Sequence, residues 1–161
     1  AQRRTGNTAD EGCRNRDRPV EVPRGCIGKR CRTAGQLHGR AWRVGLRDPR
    51  APERMIGVLA LQGQAIVASS GDYERFFMAQ GERQHHILNP ATGRPTQGPH
   101  GVSLLAKDAA SVNGLGTAIM VLGSEGARAL LKDQPAVQAL VVNRDHSVWQ
   151  TPGMATLLQT T

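Results

Sequence analysis

The fold class is decided by the central stretch Met55-Ile56-Gly57-Val58-Leu59-Ala60-Leu61-Gln62-Gly63-Gln64-Ala65-Ile66-Val67-Ala68-Ser69. Two short apolar runs, residues 55–61 and 65–69, flank a polar turn that is centred on Gly63. Runs of this length that are separated by a glycine-containing turn are typical of adjacent β-strands. The stretch therefore predicts a β-hairpin and an antiparallel sheet around it.

Similar strand patterns lie on both sides of this stretch. The further predicted strands are Trp42 to Leu46, Tyr73 to Met78, Arg83 to Leu88, Val102 to Ala106, Val137 to Val142 and Ser147 to Gln150. The turn Gln80-Gly81-Glu82 joins the second and third of these strands as another hairpin, and the last two strands form a closing hairpin.

Helical spacing begins only late in the chain, from Ala109. Leu115, Ile119 and Leu122 recur three or four residues apart, and this helix is predicted to end at Gly123. Two more helices are predicted, one that begins at Ser124 as its N-cap and a short one over Met154 to Leu158. Because the strands come first and the helices later, the pattern favours an α+β fold: an antiparallel sheet with helices packed on it.

The composition is that of one ordinary domain or a piece of a larger protein. The chain has 161 residues, and its hydrophobic fraction of 39% is enough for a core. No stretch approaches the ~18 consecutive apolar residues of a membrane span, so no transmembrane segment is predicted. Ala1-Gln2-Arg3-Arg4 lead into polar sequence, so no signal peptide is predicted either.

The positive charge is concentrated at the start of the chain. Residues 1–32 hold nine of the basic residues against four acidic ones, in a protein with a net charge of +8. Nucleic-acid binding is one reading of such an arm. A solvated, poorly ordered arm is favoured because no aromatic residues interleave the charges. We therefore expect an atypical basic arm over 1–32, a folded domain over 33–161, and no nucleic acid as partner.

The three cysteines, Cys13, Cys26 and Cys31, all fall in this arm. Their spacing matches neither a CxxC motif nor a Cys/His zinc pattern, and their number is odd. Reduced thiols are therefore favoured over a metal site.

Two stretches carry the candidate chemistry. The first is Arg83-Gln84-His85-His86-Ile87-Leu88-Asn89-Pro90-Ala91-Thr92-Gly93-Arg94-Pro95, and the second is Ser70-Gly71-Asp72. Adjacent residues of a strand point to opposite faces, so only one of the two histidines can face a given cleft. A histidine there could take a proton from a hydroxyl, although a purely structural polar histidine is the alternative.

The loop after the histidines is rich in turn residues. Asparagine, proline and glycine favour a tight turn that would present Thr92 and Arg94 to a phosphate or a flavin ring. The hydroxyl, amide and carboxylate of Ser70-Gly71-Asp72 could form a nucleotide clamp. Both stretches could equally be turns without a ligand.

A third candidate lies where the helical pattern begins. Asn113 and Thr117 are four residues apart, so on a helix their oxygens would share one face and could bind a hard cation such as Mg²⁺. An ordinary polar stripe is the alternative. The intervening Gly114 and Gly116 cost about 1 kcal/mol each relative to alanine in a helix, which suggests a close approach by a ligand or by another part of the chain.

Taken in order, the segments SGDYERFF (70–77), HHILNPATGRP (85–95) and NGLGTAIMVLG (113–123) resemble the C-terminal half of the ApbE family, the FAD:protein FMN transferases. The resemblance runs from about Gly35 to the end of the chain. It implies an α+β, T-fold-like architecture that is truncated at its N-terminus. It also implies a flavin transferase that uses FAD as substrate and Mg²⁺ as cofactor.

The resemblance further implies transfer of FMN from FAD to a threonine hydroxyl on an acceptor flavoprotein subunit of a redox membrane complex. His86 matches the catalytic base, because it directly precedes the Ile-x-Asx-Pro step. Thr117 matches one metal ligand, and Asn113 falls on another. The predicted cofactor-binding set is Ser70, Gly71, Asp72, His86, Thr92 and Arg94. A periplasmic or inner-membrane-associated location is implied, with the cytoplasm as second choice.

The chain departs from the family pattern in two places. Active members carry Asp where this chain has Asn113, so we expect weakened Mg²⁺ affinity. The N-terminal half of the family, with its own flavin-contacting segment, has no counterpart in residues 1–32. These departures predict weak or no transfer, and they keep open the alternative of a non-catalytic FAD- or nucleotide-binding protein.

Overall fold

The structure, a computed structural model, describes residues 30–33, 40–73 and 75–160. The predictions made for the arm up to residue 29, including those for Cys13 and Cys26, lie outside the described residues.

Antiparallel strands dominate the described chain. The elements in chain order are β1 (Arg30–Thr33), β2 (Trp42–Asp48), β3 (Ala51–Leu61), β4 (Ala65–Gly71), β5 (Phe76–Ala79), β6 (Glu82–His85), β7 (Gly101–Ala106), a 3₁₀ turn (Ala110–Val112), α1 (Leu115–Leu131), β8 (Gln138–Val142), β9 (Val148–Gln150), α2 (Pro152–Leu157) and β10 (Leu158–Gln159). They form a five-stranded sheet of order β1-β4-β7-β8-β9, a three-stranded sheet of order β10-β3-β2, and the two-stranded hairpin β5-β6.

The five-stranded sheet is the middle layer, with both faces buried. Along β4, Ile66 belongs to a core cluster with residues of α1, while its neighbour Val67 belongs to a second cluster with residues of the three-stranded sheet. Leu104 and Leu105 of β7 divide in the same way, because successive side chains of a strand point to opposite faces. The predicted α+β fold, an antiparallel sheet with a helix packed on it, is confirmed, and the second sheet covers the other face.

The hairpin predicted at Gln62 to Gln64 is wrong. β3 pairs with β2 and β10, whereas β4 pairs with β1 and β7, so the turn carries the chain from one sheet to the other. β3 does form a hairpin, but with β2, the strand before it. The Pro49-Arg50 turn joins the two strands, and in it the Arg50 amide donates to Asp48 Oδ1 at 2.9 Å. Apolar runs indicate the burial of both strands, but they carry no information about which strand is the partner.

The last residues of the predicted arm belong to a strand of the sheet. β1 covers Arg30–Thr33 and pairs antiparallel with β4, and both Cys31 and Thr33 are buried. The hydroxyl of Thr33 donates to the carbonyl of Gly63 at 3.1 Å. Arg32 is exposed, so inward and outward residues alternate here as in any edge strand. The short length and the arginines concealed this pattern in the sequence.

The predicted helices are present with one interruption. Gly123 has φ 74° and ψ −170° inside α1, so the helix breaks at the glycine where the sequence predicts an end. The short terminal helix is α2, and Thr151 caps it by accepting from the Met154 amide. Within the described ranges, no helix is long and apolar enough to cross a membrane.

Candidate functional site

The two adjacent histidines at the end of β6 have different surroundings. His85 is buried, with Nε2 donating to the Thr96 carbonyl at 3.0 Å and Nδ1 accepting from the Ile87 amide at 3.3 Å. Both ring nitrogens are therefore used inside the protein. This is the structural arrangement that the sequence left open as the alternative for one histidine.

His86 is exposed, as the alternation of a strand requires. Its amide donates to the Arg75 carbonyl at 3.3 Å, and its Nδ1 lies 3.4 Å from the same oxygen. Among the described residues, Nε2 of His86 has no hydrogen-bond partner, so it can receive a proton from a bound group. The role of His86 as a base stays a prediction, while burial excludes His85 from it.

The loop over residues 89–95 is held by its own hydrogen bonds. Asn89 accepts on its side chain from the Ala91 amide at 2.9 Å and on its carbonyl from the Gly93 amide at 2.8 Å, and its amide donates to the Arg94 carbonyl at 2.8 Å. Gly93 has φ +64°. The predicted turn is therefore confirmed. Thr92 and Arg94 are both exposed on it, where a ligand can reach them.

The end of β4 touches the beginning of α1. A Cβ atom at Gly116 would lie only 2.9 Å from Ser70 Oγ, so a side chain at position 116 would displace Ser70. The close approach predicted from Gly116 is thus made by Ser70, a residue of the predicted cofactor set. Two of the three sequence motifs meet at this contact.

Asp72 has surroundings that the sequence did not predict. It is fully buried, and its carboxylate lies 3.2 Å from Arg83 Nη1, 3.0 Å from His100 Nδ1 and 3.6 Å from Arg144 Nη2. A carboxylate that is enclosed in this way has a structural role in holding its partners. Cofactor binding by Ser70, Gly71 and Asp72 stays a prediction.

Arg144, which sequence reasoning missed, also holds the loop after His86. Its guanidinium donates to the carbonyl oxygens of Gln97 at 3.2 Å and Gly98 at 3.0 Å, and to that of Thr96 at 3.4 Å. Arg144 lies in the turn between β8 and β9, far along the chain from its partners. Nothing in its local sequence distinguishes it from a surface arginine of a hairpin turn.

The prediction that Asn113 and Thr117 share a helix face is wrong. Asn113 follows the 3₁₀ turn with extended φ −69° and ψ 119°, Gly114 is left-handed at φ 76°, and α1 begins only at Leu115. The 3₁₀ turn is fixed by Asp108, which accepts from the Ser111 amide at 2.9 Å and from its hydroxyl at 2.8 Å. These bonds also hold the pKa of Asp108 below its usual range. The left-handed φ of residue 114 favours glycine, so the backbone conformation explains Gly114 without a ligand.

The residues at this helix start do not fit a resident Mg²⁺ ion. Asn113 and Thr117 offer only neutral oxygens, and the first turn of α1 carries no acidic residue. A helix N-terminus carries partial positive charge, which disfavours a cation, and Mg²⁺ sites ordinarily include carboxylate or phosphate oxygens. In the part of the chain that is described, no group of three or more His, Cys, Asp or Glu side chains could hold a metal.

The fold, an antiparallel sheet with a helix on one face and a second sheet on the other, defines an α+β class of domain, and comparison with known proteins identifies its family. A sequence profile of the ApbE family matches residues 26–141, so the chain belongs to the ApbE family. The match begins upstream of β1, which agrees with the place of that strand in the central sheet.

Curated relatives carry the name FAD:protein FMN transferase. The protein of Treponema pallidum (strain Nichols) is 38% identical over 114 residues, which is 70% of this chain and 32% of that protein. The protein of Rhodobacter capsulatus is 34% identical over 123 residues, which is 76% of this chain and 23% of that protein. The chain thus spans about a quarter to a third of the length of these relatives.

Solved structures show the same likeness. The ApbE protein of Thermotoga maritima superimposes with a TM-score of 0.72 at 31% identity, over 82% of this chain and 43% of that one. The flavin transferase ApbE of Vibrio cholerae superimposes with a TM-score of 0.64 at 26% identity, over 82% and 43% of the two chains. Both comparisons support an ApbE fold over most of the chain.

Proposed function

We propose that this chain is the flavin-transferring part of an FAD:protein FMN transferase. The observation that carries the proposal is the joint presence of the family match over residues 26–141 and an exposed His86 beside a self-supporting turn. The acceptor is a threonine hydroxyl of a flavoprotein subunit of a redox membrane complex, as the family resemblance implies.

In the proposed reaction, FAD binds against the turn that presents Thr92 and Arg94. The guanidinium of Arg94 offers charge-assisted hydrogen bonds to a phosphate oxygen. His86 Nε2 takes the proton of the acceptor hydroxyl as its oxygen attacks the FMN-side phosphorus. The bond from that phosphorus to the bridging oxygen breaks, and AMP leaves. No step is assigned to Mg²⁺ here, because Asn113 and Thr117 bring no charge, and the metal requirement is measured separately.

The test is covalent attachment of FMN to an acceptor subunit in the presence of FAD, followed by in-gel flavin fluorescence and AMP release. His86→Asn should lower the rate by about 100-fold or more, the scale of a general base. His146→Asn is the matched control, since His146 is exposed in the turn between β8 and β9, its φ of 66° suits asparagine, and its ring stacks on His100 (centroids 6.0 Å apart) and not on His86. An equal loss in both variants would contradict the role of His86.

The metal requirement is tested by titrating Mg²⁺ into the unmodified chain and into Asn113→Asp. The added carboxylate supplies the charge that a hard cation prefers, so transfer by Asn113→Asp should exceed that of the unmodified chain and should saturate at lower Mg²⁺. Strong, Mg²⁺-dependent turnover by the unmodified chain would overturn the expected weakness.

A second candidate function is FAD or nucleotide binding without catalysis. One observation favours it: the neutral Asn113 at the helix start. Quenching of flavin fluorescence without AMP release in either metal condition would select this second function. Absence of both binding and release would remove both proposals.

A further inference from the structure

The strongest unexplained feature of the molecule is the cluster around Asp72. A buried carboxylate is costly unless cations and hydrogen bonds compensate it. Here the Asp72 carboxylate is 1% exposed, and its partners Arg83 and Arg144 are only partly buried at 37% and 38% exposure. The third partner, His100, approaches at 3.0 Å.

The partners of Asp72 come from separate segments that surround the His86 loop. Arg83 belongs to β6, which leads directly into His86, and its guanidinium also stacks on the Phe76 ring at 4.4 Å. His100 ends the loop, and its carbonyl accepts from the Asp72 amide at 3.1 Å. Arg144 reaches across from the β8-β9 turn. One carboxylate thus ties both ends of the loop to the central sheet.

Thr96 extends this connection to α1. Its carbonyl accepts from His85 and from Arg144, while its hydroxyl donates to the Met120 carbonyl at 3.1 Å. Met120 lies one turn after Thr117 on α1. A Cβ atom at Gly98 would overlap the same Met120 oxygen, so the loop packs directly against the helix.

We infer that Asp72 is a positioning residue: its charge, acting through Arg144 and His100, fixes the 96–100 segment and thereby the placement of His86 against the start of α1. In this role Asp72 acts through its partners and not on the reacting atoms. The inference rests on the proposed function only for its kinetic consequence, because the placement itself is a property of the folded chain.

The first test is native-state amide hydrogen exchange in Asp72→Asn, a change that keeps the shape and removes the charge. Amides of the loop, such as those of Thr96 and Gly98, should exchange about tenfold faster or more, and by a larger factor than the amides of β7 and β8. Asp48→Asn is the matched control, because Asp48 pairs with Arg50 at 2.6 Å in a turn on the other sheet. It should leave loop exchange unchanged.

The second test is kinetic. If FMN transfer is measurable, Asp72→Asn should lower kcat about tenfold while the KM for FAD stays within about twofold, since positioning acts on the reacting geometry. Loss of transfer in every protein, including the unmodified chain, would count against the proposed function, while the exchange result would still decide the positioning role.

Arg144→Gln keeps the proposal testable if Asp72→Asn does not fold. It should raise the exchange rates of the same loop amides. In the double variant these rates should stay within about twofold of those of the faster single variant, because both substitutions remove one contact. Equal acceleration of the loop and of β7 and β8, or simple additivity in the double variant, would overturn the inference.

Discussion

The hairpin β5-β6 and the loop over residues 86–100 follow one another in the chain, yet different interactions hold them in place. Backbone pairing holds the hairpin, whereas buried side chains hold the loop. The loop has no regular secondary structure, but Ile87 and Thr96 are buried and its carbonyls accept from His85 and Arg144. The hairpin is regular, but its Phe77 and Met78 are 66% and 60% exposed. Within the described residues, β5 and β6 pair only with each other.

The difference shows that regular hydrogen bonding and stability are separate properties. A two-stranded hairpin that buries little apolar surface is marginally stable by itself. A segment without ladder bonds can be rigid when buried polar side chains satisfy its backbone groups. We therefore expect substitutions in the loop to affect global unfolding and substitutions in the hairpin to have little effect on it.

The largest expected effect is that of Asp72→Asn. Removing one partner of a buried ion pair typically costs about 3–5 kcal/mol. Because Arg83 and Arg144 are partly exposed and can be rehydrated, we expect about 2–3 kcal/mol. The measurement is urea denaturation, read as a shift of the midpoint at constant m-value.

The control for Asp72→Asn is again Asp48→Asn. The side-chain hydrogen bond from Arg50 holds the pKa of Asp48 below its usual range, so the pair stabilises the protein above the unfolded pKa of about 3.9 and loses this contribution as the pH falls through the folded pKa. Being near the surface, the pair should contribute less than about 1 kcal/mol. Equal losses in the two variants would contradict the special role of the loop.

Next in size is Thr96→Val, which keeps the shape of a buried side chain and removes its hydroxyl. The Met120 carbonyl and the Gly98 amide both lose their bond to Thr96 Oγ1. Leaving buried groups unpaired costs about 1–3 kcal/mol, so we expect a loss of about 2 kcal/mol. Thr92→Val is the control, because Thr92 is exposed and its loss should stay within about 0.5 kcal/mol. A smaller loss for Thr96 than for Thr92 would show that water replaces the buried bonds.

The sequence predicts the turn chemistry of this loop but not its anchors. Asn89, Pro90 and Gly93 carry local conformational preferences, so residue type alone reveals them. Arg144 and His100 act through distances of tens of residues along the chain, and no local preference marks such a partner. The burial of Asp72 could not be predicted for the same reason, because the partners that enclose it are distant in the sequence.

The same lack of long-range information in the sequence explains the errors in the predicted fold. The apolar runs of β3 and β4 predict two strands, and both strands are present. Which strands pair depends on how two sheets stack, and the short turn at Gly63 suits a hairpin as well as a crossing between sheets. At Asn113, a spacing of four residues places two side chains on one face only inside a helix, and α1 begins after the left-handed Gly114. The choice of His86 over His85 followed from the family motif, and burial agrees with it.

A third prediction compares two glycines with equal backbone demands. Gly93 in the loop and Gly81 in the hairpin have φ of +64° and +79°, and a Cβ atom added to either residue would meet no other atom within 4 Å. Alanine at Gly93 should cost about 1 kcal/mol: the strain of a left-handed residue destabilises the folded state, and the lower conformational entropy of the unfolded chain offsets part of that cost. Gly81→Ala should cost less in global unfolding, because the hairpin opens locally and releases its strain. Equal costs would show that the hairpin unfolds only with the core.

The smallest expected effect is that of Phe77→Ser on the outer part of the hairpin. The ring is already in solvent, so the loss should stay within about 0.5 kcal/mol. Phe76→Ser is the matched comparison: its ring carries the Arg83 guanidinium at 4.4 Å, and losing a cation–π contact should add about 0.5–1 kcal/mol. Both are measured by urea denaturation at several protein concentrations. A loss above about 1 kcal/mol for Phe77 that grows with concentration would mean that a second copy covers this hairpin. The same loss without concentration dependence would mean that the hairpin is as tightly coupled to the core as the loop.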